Sequence, residues 1–374
     1  MLPEGDDPWS ATKKDVREAL RESGAEATVA TVAAVEGSAY RRPGAKMLVT
    51  PAGVTTGAVT AGCLEDPIVD ICGSVRRTGR SRTEQFDLTE SDETWGLGLG
   101  CNGVIDLLVE PRDDSWTPVL SALRDEDPVT VVTVVESATE TAVGNRVVIS
   151  GEQTLAVPDR EPIPSSCTRR AEETIEQVTG TGRTSTVSVD DTTLLVDGLT
   201  PIPELLLFGS QSDLGPLVTL GSQAGFRVSV HSPRGGVDES TIPHADDVRT
   251  DHPSTIASGT ADEHTYAVVM SHNLVDDRLA VETLLRETDV PYVGVMGPRD
   301  RFDRLHDGLV RDGVALTPAE LERVAAPVGL DLGGSTPTDI ALSIISEIVA
   351  VHNGREGGRL REQTGPIHPT EPGR

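Results

Sequence analysis

The chain has 374 residues, 37% of them hydrophobic and 3% aromatic, and 60 acidic side chains face 32 basic ones for a formal net charge of −28. That length allows two or three domains with cores of their own, and the apolar share excludes a disordered or fibrous chain. The acidity excludes nucleic acid and an anionic membrane as general partners, and no apolar run approaches the roughly 18 residues of a membrane span.

The basic residues comprise only three lysines, Lys13, Lys14 and Lys46, and 29 arginines. Self-repulsion at this charge is screened by salt, so a salt-rich cytoplasm, as in a halophile, is the expected setting. Met1–Ser10 has neither a basic start nor an apolar core and is not a signal peptide. Cys63, Cys72, Cys101 and Cys167 form no CxxC pair and are expected to be free thiols.

In chain order, 1–14 reads as a tail, and Lys13–Ser23 has helical spacing, stopped by Gly24. Ala27–Val35 is a β-branched strand running into the loop Glu36–Lys46, and Met47–Thr50 is a second strand. Gly57–Gly62 approaches Cys63-Leu64-Glu65-Asp66, after which Pro67–Arg77 reads as a helix. Gly96–Gly103 is a second glycine-rich loop, followed by the strand Val104–Val109. These elements define a mixed α/β domain over 15–115. A connecting, β-rich segment spans 116–203, with a strand at Pro128–Val135 and weaker patterns after it. No internal repeat is evident.

A boundary falls at Gly198–Pro203. Strands at Glu204–Phe208, Arg227–Val230, Tyr266–Ser271 and Tyr292–Met296 then alternate with helices at Leu214–Ala224, Val275–Arg286 and Asp300–Val310. That alternation predicts a Rossmann-like, doubly wound parallel sheet over 204–354. The last helix has a capping Ser335 or Thr336, Pro337 in its first turn and an Asn353-Gly354 stop. The tail 355–374 has little to bury and is expected to be mobile.

Arg41, Arg42 and Lys46 place three cations in six residues, a set suited to phosphate or another compact anion; the alternative is a solvated turn. Cys63 and Cys101 each follow a glycine, and a thiolate there suits sulfur transfer or a soft metal, unless it is simply a small buried apolar group. Glu65 is either an acid/base group or a helix N-terminal charge. Gly209 opens the loop after the first Rossmann strand, but Gln211 stands where a dinucleotide fingerprint needs its second glycine. Ser232 stands where a ribose-binding carboxylate belongs, although Ser232 with Arg234 suits a 2′-phosphate. His272, Arg299 and Gly333 lie at the carboxyl ends of later strands, where such sheets bind ligands. His272 suits proton transfer and Gly333-Gly334 an anion seat.

Taken in order, Glu36–Met47, Gly62-Cys63-Leu64-Glu65, Gly98–Gly103, Leu207-Phe208-Gly209, Met270–Asn273, Gly294–Arg299 and Pro327–Gly333 resemble the XdhC/CoxI family of xanthine dehydrogenase accessory proteins. The resemblance runs from about 15 to 368 and is weakest over 136–203. It implies a non-catalytic chaperone that binds molybdenum cofactor, in mononucleotide or dinucleotide form, shields it during sulfuration and delivers it to a molybdenum hydroxylase. It implies a cysteine desulfurase and a xanthine or CO dehydrogenase type client as partners, and a homodimer. Arg41, Arg42 and Lys46 would hold the cofactor's phosphate, and Cys63 and Cys101 would lie near molybdenum. The chain departs from the family's Gly-x-Gly-His at Gly209–Ser212 and from its Asp at Ser232, which argues against NAD(P). An NAD(P)-dependent oxidoreductase using His272 is the competing expectation.

Overall fold

A computed structural model of the chain describes residues 10–88, 102–138, 143–158, 160–256 and 261–364. It divides into two compact units, Met1–Ile202 and Pro203–Arg374. Cys101 and most of the two expected tails lie outside the described residues. Segments 15–115 and 116–203, expected to be separate, belong to one unit because they share a core.

The first unit opens with α1 (Lys13–Glu22), β1 (Thr28–Ser38), β2 (Lys46–Val49), β3 (Thr55–Thr56), α2 (Glu65–Thr78), β4 (Arg82–Asp87) and β5 (Asn102–Pro111). It continues with α3 (Thr117–Arg124), β6 (Val129–Ser137), β7 (Arg146–Ser150), β8 (Gln153–Leu155), α4 (Ser165–Arg170), α5 (Glu172–Val178), β9 (Thr184–Val189) and β10 (Thr192–Leu199). Two antiparallel sheets result, ordered β3-β2-β1-β5-β4 and β8-β7-β6-β10-β9.

These orders are the same, and so is the sequence of elements, save that two short helices stand where α2 stands in the first half. The unit is a structural duplication that the sequence does not reveal. Its local details repeat as well. Val32 N–H donates to Ala45 O at 2.9 Å and Gly44 N–H to Val32 O at 2.8 Å. In the second half Val134 N–H donates to Asn145 O and Gly144 N–H to Val134 O, both at 2.9 Å. Thr31 pairs with Lys46 and with Leu108; Thr133 pairs with Arg146 and with Leu195. Gly44 and Gly144 have φ of 88° and 86°. A Cβ on Gly44 would sit 2.1 Å from Thr184 Oγ1, and one on Gly144 would sit 2.2 Å from Ser81 Oγ. Each glycine thus lets its loop cross onto the other half, where no side chain fits.

Strand alternation sends each sheet's residues to two layers. Ala30, Val32, Met47, Ile105, Leu107 and Val109 pack under α2 with Ile68, Cys72 and Val75. Val132, Val134, Leu194 and Val196 pack with Val178 of α5. Val29, Leu48, Val131 and Val148 face the layer between the sheets, joined there by Val16 and Leu20 of α1 and Val119 and Leu120 of α3.

The second unit is a Rossmann-like, doubly wound domain. Its strands are β11 (Glu204–Phe208), β12 (Arg227–Ser232), β13 (Asp247–Thr250), β14 (Thr265–Val269), β15 (Tyr292–Val295) and β16 (Val324–Ala325), all paired in parallel in the order β13-β12-β11-β14-β15-β16. Its helices are α6 (Leu214–Gln223), α7 (Leu274–Glu287), α8 (Arg299–Arg311), α9 (Pro318–Glu322) and α10 (Pro337–His352). Leu217 and Val218 of α6 and Ile344 and Ile348 of α10 cover one face. Ala280 and Leu284 of α7 and Leu305 and Leu309 of α8 cover the other. Thr336 caps α10 and shares a capping box with Asp339, whose carboxyl is held below its ordinary pKa by the Thr336 hydroxyl.

Tyr292 donates its hydroxyl to Glu347 of α10, and the Tyr266 hydroxyl lies 3.0 Å from His352 Nδ1. Burial raises the pKa of both phenols above the ordinary 10.0, and the Glu347 charge adds to the rise at Tyr292. A raised phenol pKa stabilises the fold below about pH 10, and that stability is lost as pH rises through the folded value. In an alkaline titration followed by tyrosinate absorbance, Tyr266 and Tyr292 should ionise only as the domain unfolds. Their ionisation near pH 10 in a folded protein would contradict this packing.

Candidate functional site

The β1–β5 ladder brings two of the sequence motifs together. Gly37 pairs with Gly103 and Ser38 with Asn102, so the end of the second glycine-rich loop enters beside the start of the cationic loop. A tight turn follows, in which Ala45 N–H donates to Arg42 O at 3.1 Å. Arg42 is exposed. The Arg41 guanidinium lies over the Tyr40 ring, 5.5 Å from its centroid, and its buried Nε has no partner among the described residues. Tyr40 itself is 65% exposed.

Lys46 is placed differently from its two neighbours. Its Nζ sits 2.5 Å from Asp197 Oδ2 and 3.2 Å from Gly44 O, and the side chains of the ion pair are 10% and 9% exposed. Asp197 also accepts from Thr184 Oγ1 at 2.6 Å. The one lysine beyond α1 is therefore held by a partner 151 residues away, and it has no free charge for a phosphate. Arg146 forms the reciprocal pair: its guanidinium binds Glu110 and lies 4.8 Å from the centroid of the Trp116 ring. Glu110 pairs across β1 with Val29, and Asp197 pairs across β6 with Val131. By the duplication, Lys46 corresponds to Arg146 and Glu110 to Asp197. Each half donates a cation to the other half's carboxylate.

Cys63 is half-buried and packs with Ala39 and Ala45 against the cluster under α2, so it borders the same apolar wall as the cationic loop. Gly62 reaches it with φ of 106°. Glu65 opens α2, accepts from Thr60 Oγ1 at 2.8 Å, and leaves its buried Oε2 without a partner among the described residues. Cys72 lies in the core, where burial raises its thiol pKa. Cys167 packs partly buried on the other half.

In the second unit, the loops after β11 and β14 flank the point where strand order reverses. Gly209 is buried there, and a Cβ on it would sit 2.9 Å from Met270 O. Gln211 is exposed. His272, at φ of 59°, places Nε2 3.0 Å from Asp213 Oδ2, while the buried Oδ1 has no partner among the described residues. Asp213 sits at the N-terminus of α6, where a pyrophosphate would need positive potential. Ser232 is buried and donates to Gly235 O at 3.1 Å. Arg299 is exposed at the start of α8. Gly333 is exposed, and Asp339 accepts the Ser335 and Thr336 N–H groups at the N-terminus that follows it. The chain's own Asp339 thus occupies the anion seat suggested at Gly333-Gly334, while Asp213 at the start of α6 makes no cap bond and turns to His272. The fold positions a His–Asp pair in this crevice.

Sequence reasoning missed Asp213, Glu110, Arg146, Trp116 and Asp197. Arg146 and Asp197 had one available signal: each is the single ionic residue of an otherwise uncharged strand. Among the described residues no three metal-ligating side chains cluster.

Removing one member of a buried ion pair strands the other, at a cost of roughly 3–5 kcal/mol. Lys46→Met should therefore lower unfolding stability by about that amount in denaturant titrations, and Lys46→Met with Asp197→Leu should recover most of it. Native-state thiol labelling should modify Cys63 and spare Cys72 until the unit unfolds.

Comparison with known proteins matches residues 20–87 to the XdhC and CoxI family and residues 205–348 to the XdhC Rossmann domain. A protein of Bacillus subtilis named as a probable xanthine dehydrogenase component is 30% identical over 346 residues, 89% of this chain and 95% of that one. The uncharacterized protein YqeB of Escherichia coli is 30% identical over 105 residues, 28% of this chain and 18% of that one. A crystal structure described as a xanthine dehydrogenase from Bacillus halodurans superposes with a TM-score of 0.74 at 27% identity, covering 91% of this chain and 96% of that one. With an end-to-end relative at this identity and both of its units matched by the corresponding models, the chain belongs to the XdhC and CoxI family.

Proposed function

We propose that this protein is an accessory factor that carries molybdenum cofactor as cargo to a xanthine dehydrogenase type client, shielding it while a cysteine desulfurase installs its sulfur. Family membership supports the xanthine dehydrogenase connection. One observation carries the placement of the cargo site: the duplicated halves share their structural devices but not their chemistry. Gly44 and Gly144, Lys46 and Arg146, and Glu110 and Asp197 recur. Tyr40, Arg41 and Arg42 do not. The corresponding stretch, Glu136–Val143, reads ESATETAV and contains no cation. A residue kept by both halves serves the fold. Cations kept by one half only, and without ion partners among the described residues, are free to serve a ligand.

The donor set suits the cargo's chemistry. Arg42 and Arg41 present guanidinium forks to a phosphate or pyrophosphate. Cys63, on the same apolar wall, offers a thiol, and Glu65 leaves a buried carboxylate oxygen open to a donor. Holding the cargo against that wall would exclude water from it. Lys46 is not in the set. A homodimer and a cytoplasmic location remain part of the proposal. An NAD(P)-dependent oxidoreductase is the weaker reading: His272 with Asp213 favours proton transfer, but Asp213 and Gln211 stand where the pyrophosphate would lie.

The test is co-purification from a molybdenum-replete host in high salt, with molybdenum and oxidised pterin counted per monomer. Near-stoichiometric pterin is expected for the wild type. Arg42→Ala should lower the pterin content about tenfold or more, matching the loss of a charge-assisted hydrogen bond, with the melting temperature unchanged. Equal pterin in wild type and in the Arg41→Ala/Arg42→Ala variant would remove the site assignment. NADPH binding at micromolar concentration would revive the oxidoreductase.

A further inference from the structure

Between the two sheets of the first unit lies a small cavity whose polar lining includes Thr31, Lys46, Glu110, Trp116, Arg146 and Asp197. Arg146 is completely buried, and its Nε and Nη1 have no partner among the described residues. Trp116 is 3% exposed, and its indole N–H also has none. Among the residues lining the cavity, every buried side-chain atom left without a partner is an N–H donor.

We propose that this cavity binds one small inorganic anion, chloride being the simplest, held by the free N–H groups of Arg146 and Trp116. The donors set the sign of the occupant. A water molecule accepts about two hydrogen bonds, fewer than these three donors offer, although the Glu110 and Asp197 carboxylates that also line the cavity could take its protons. A halide accepts three or more N–H bonds and has no protons to place. Leaving buried donors unmet carries a penalty for each one, so the site selects an occupant that satisfies all of them.

The local charge points the same way. Lys46 is matched by Asp197, Arg146 by Glu110, and Arg160 by Asp113 at 2.7 Å. Arg17 of α1 lies within electrostatic reach of Asp197 and has no carboxylate of its own among the described residues. The charges that line the cavity therefore cancel, and Arg17 adds a positive charge nearby without lining it. Burial depresses Arg17 to about 10, and burial together with the Arg160 charge depresses Arg146 to about 9. An anion beside them opposes both effects. It would join the halves of the duplication at the place where their reciprocal ion pairs meet, independently of any cofactor on the cationic loop.

The experiment is anomalous diffraction from crystals of the full chain grown with bromide in place of chloride. A bromide peak within hydrogen-bond distance of the Arg146 guanidinium and Trp116 Nε1 is expected. Trp116→Phe keeps a ring over Arg146 and removes the donor, so the variant should fold, with a melting transition to verify it, and show a clearly weaker peak. Absence of bromide from the cavity in the wild type would overturn the proposal, as would a peak undiminished in folded Trp116→Phe.

Discussion

Two crossed ion pairs link the halves of the first unit. Lys46 and Arg146 each leave their own sheet's carboxylate and take the other's, so neither half can satisfy its buried charges alone. Such pairs are poor sources of net stability, because desolvation offsets most of the Coulomb attraction. They are strong sources of specificity: a sheet displaced by one residue would bury four unpaired charges. Gly44 and Gly144 serve the same crossing by removing the side chains that would keep the loops apart. The reciprocity has the form of an isologous contact between two copies, here made within one chain.

That constraint also sorts the cationic loop. Lys46 is fixed inward by the register that opposes it to Thr31. Arg41 and Arg42, a few residues earlier, lie on the turn beyond the ladder, where nothing in the fold requires a charge. The ladder then sets Asn102 and Gly103 beside the start of the cationic loop, and Cys63, just before α2, packs on the apolar cluster under that helix. The proposed cargo site would thus sit on one half of a duplicated scaffold.

The second unit shows a fold kept while its usual ligand seat is altered. All six strands run parallel and the switch point lies between β11 and β14. Yet Asp213 occupies the first helix N-terminus and Asp339 the last. Asp339 accepts N–H groups at the start of α10, one ordinary solution to the unmet donors of a helix end, whereas the Asp213 carboxylate makes no cap bond to α6. Asp213 reaches His272 across the crevice and makes a polar pair where a pyrophosphate would need open backbone.

The sequence alone determined the local grammar. Continuous apolar strands and amphipathic helices specified the Rossmann-like order, and Thr336, Pro337 and Asn353-Gly354 marked the ends of α10, because each is a short-range effect of periodicity or capping. The clustering of Arg41, Arg42 and Lys46, and the glycine-flanked Cys63, were likewise legible as candidates, although the fold pairs Lys46 with Asp197. The duplication was not, since equivalent positions hold different residues, lysine for arginine and aspartate for glutamate, with inserted loops of different composition. Nor could spacing show that Lys46 answers to Asp197 or that His272 answers to Asp213, because those partners are distant in the chain and meet only when the sheets assemble. Only the tertiary structure decided which cations are spent on the fold and which are free: a charge's role is set by the dielectric and the partners around it, and both are products of packing.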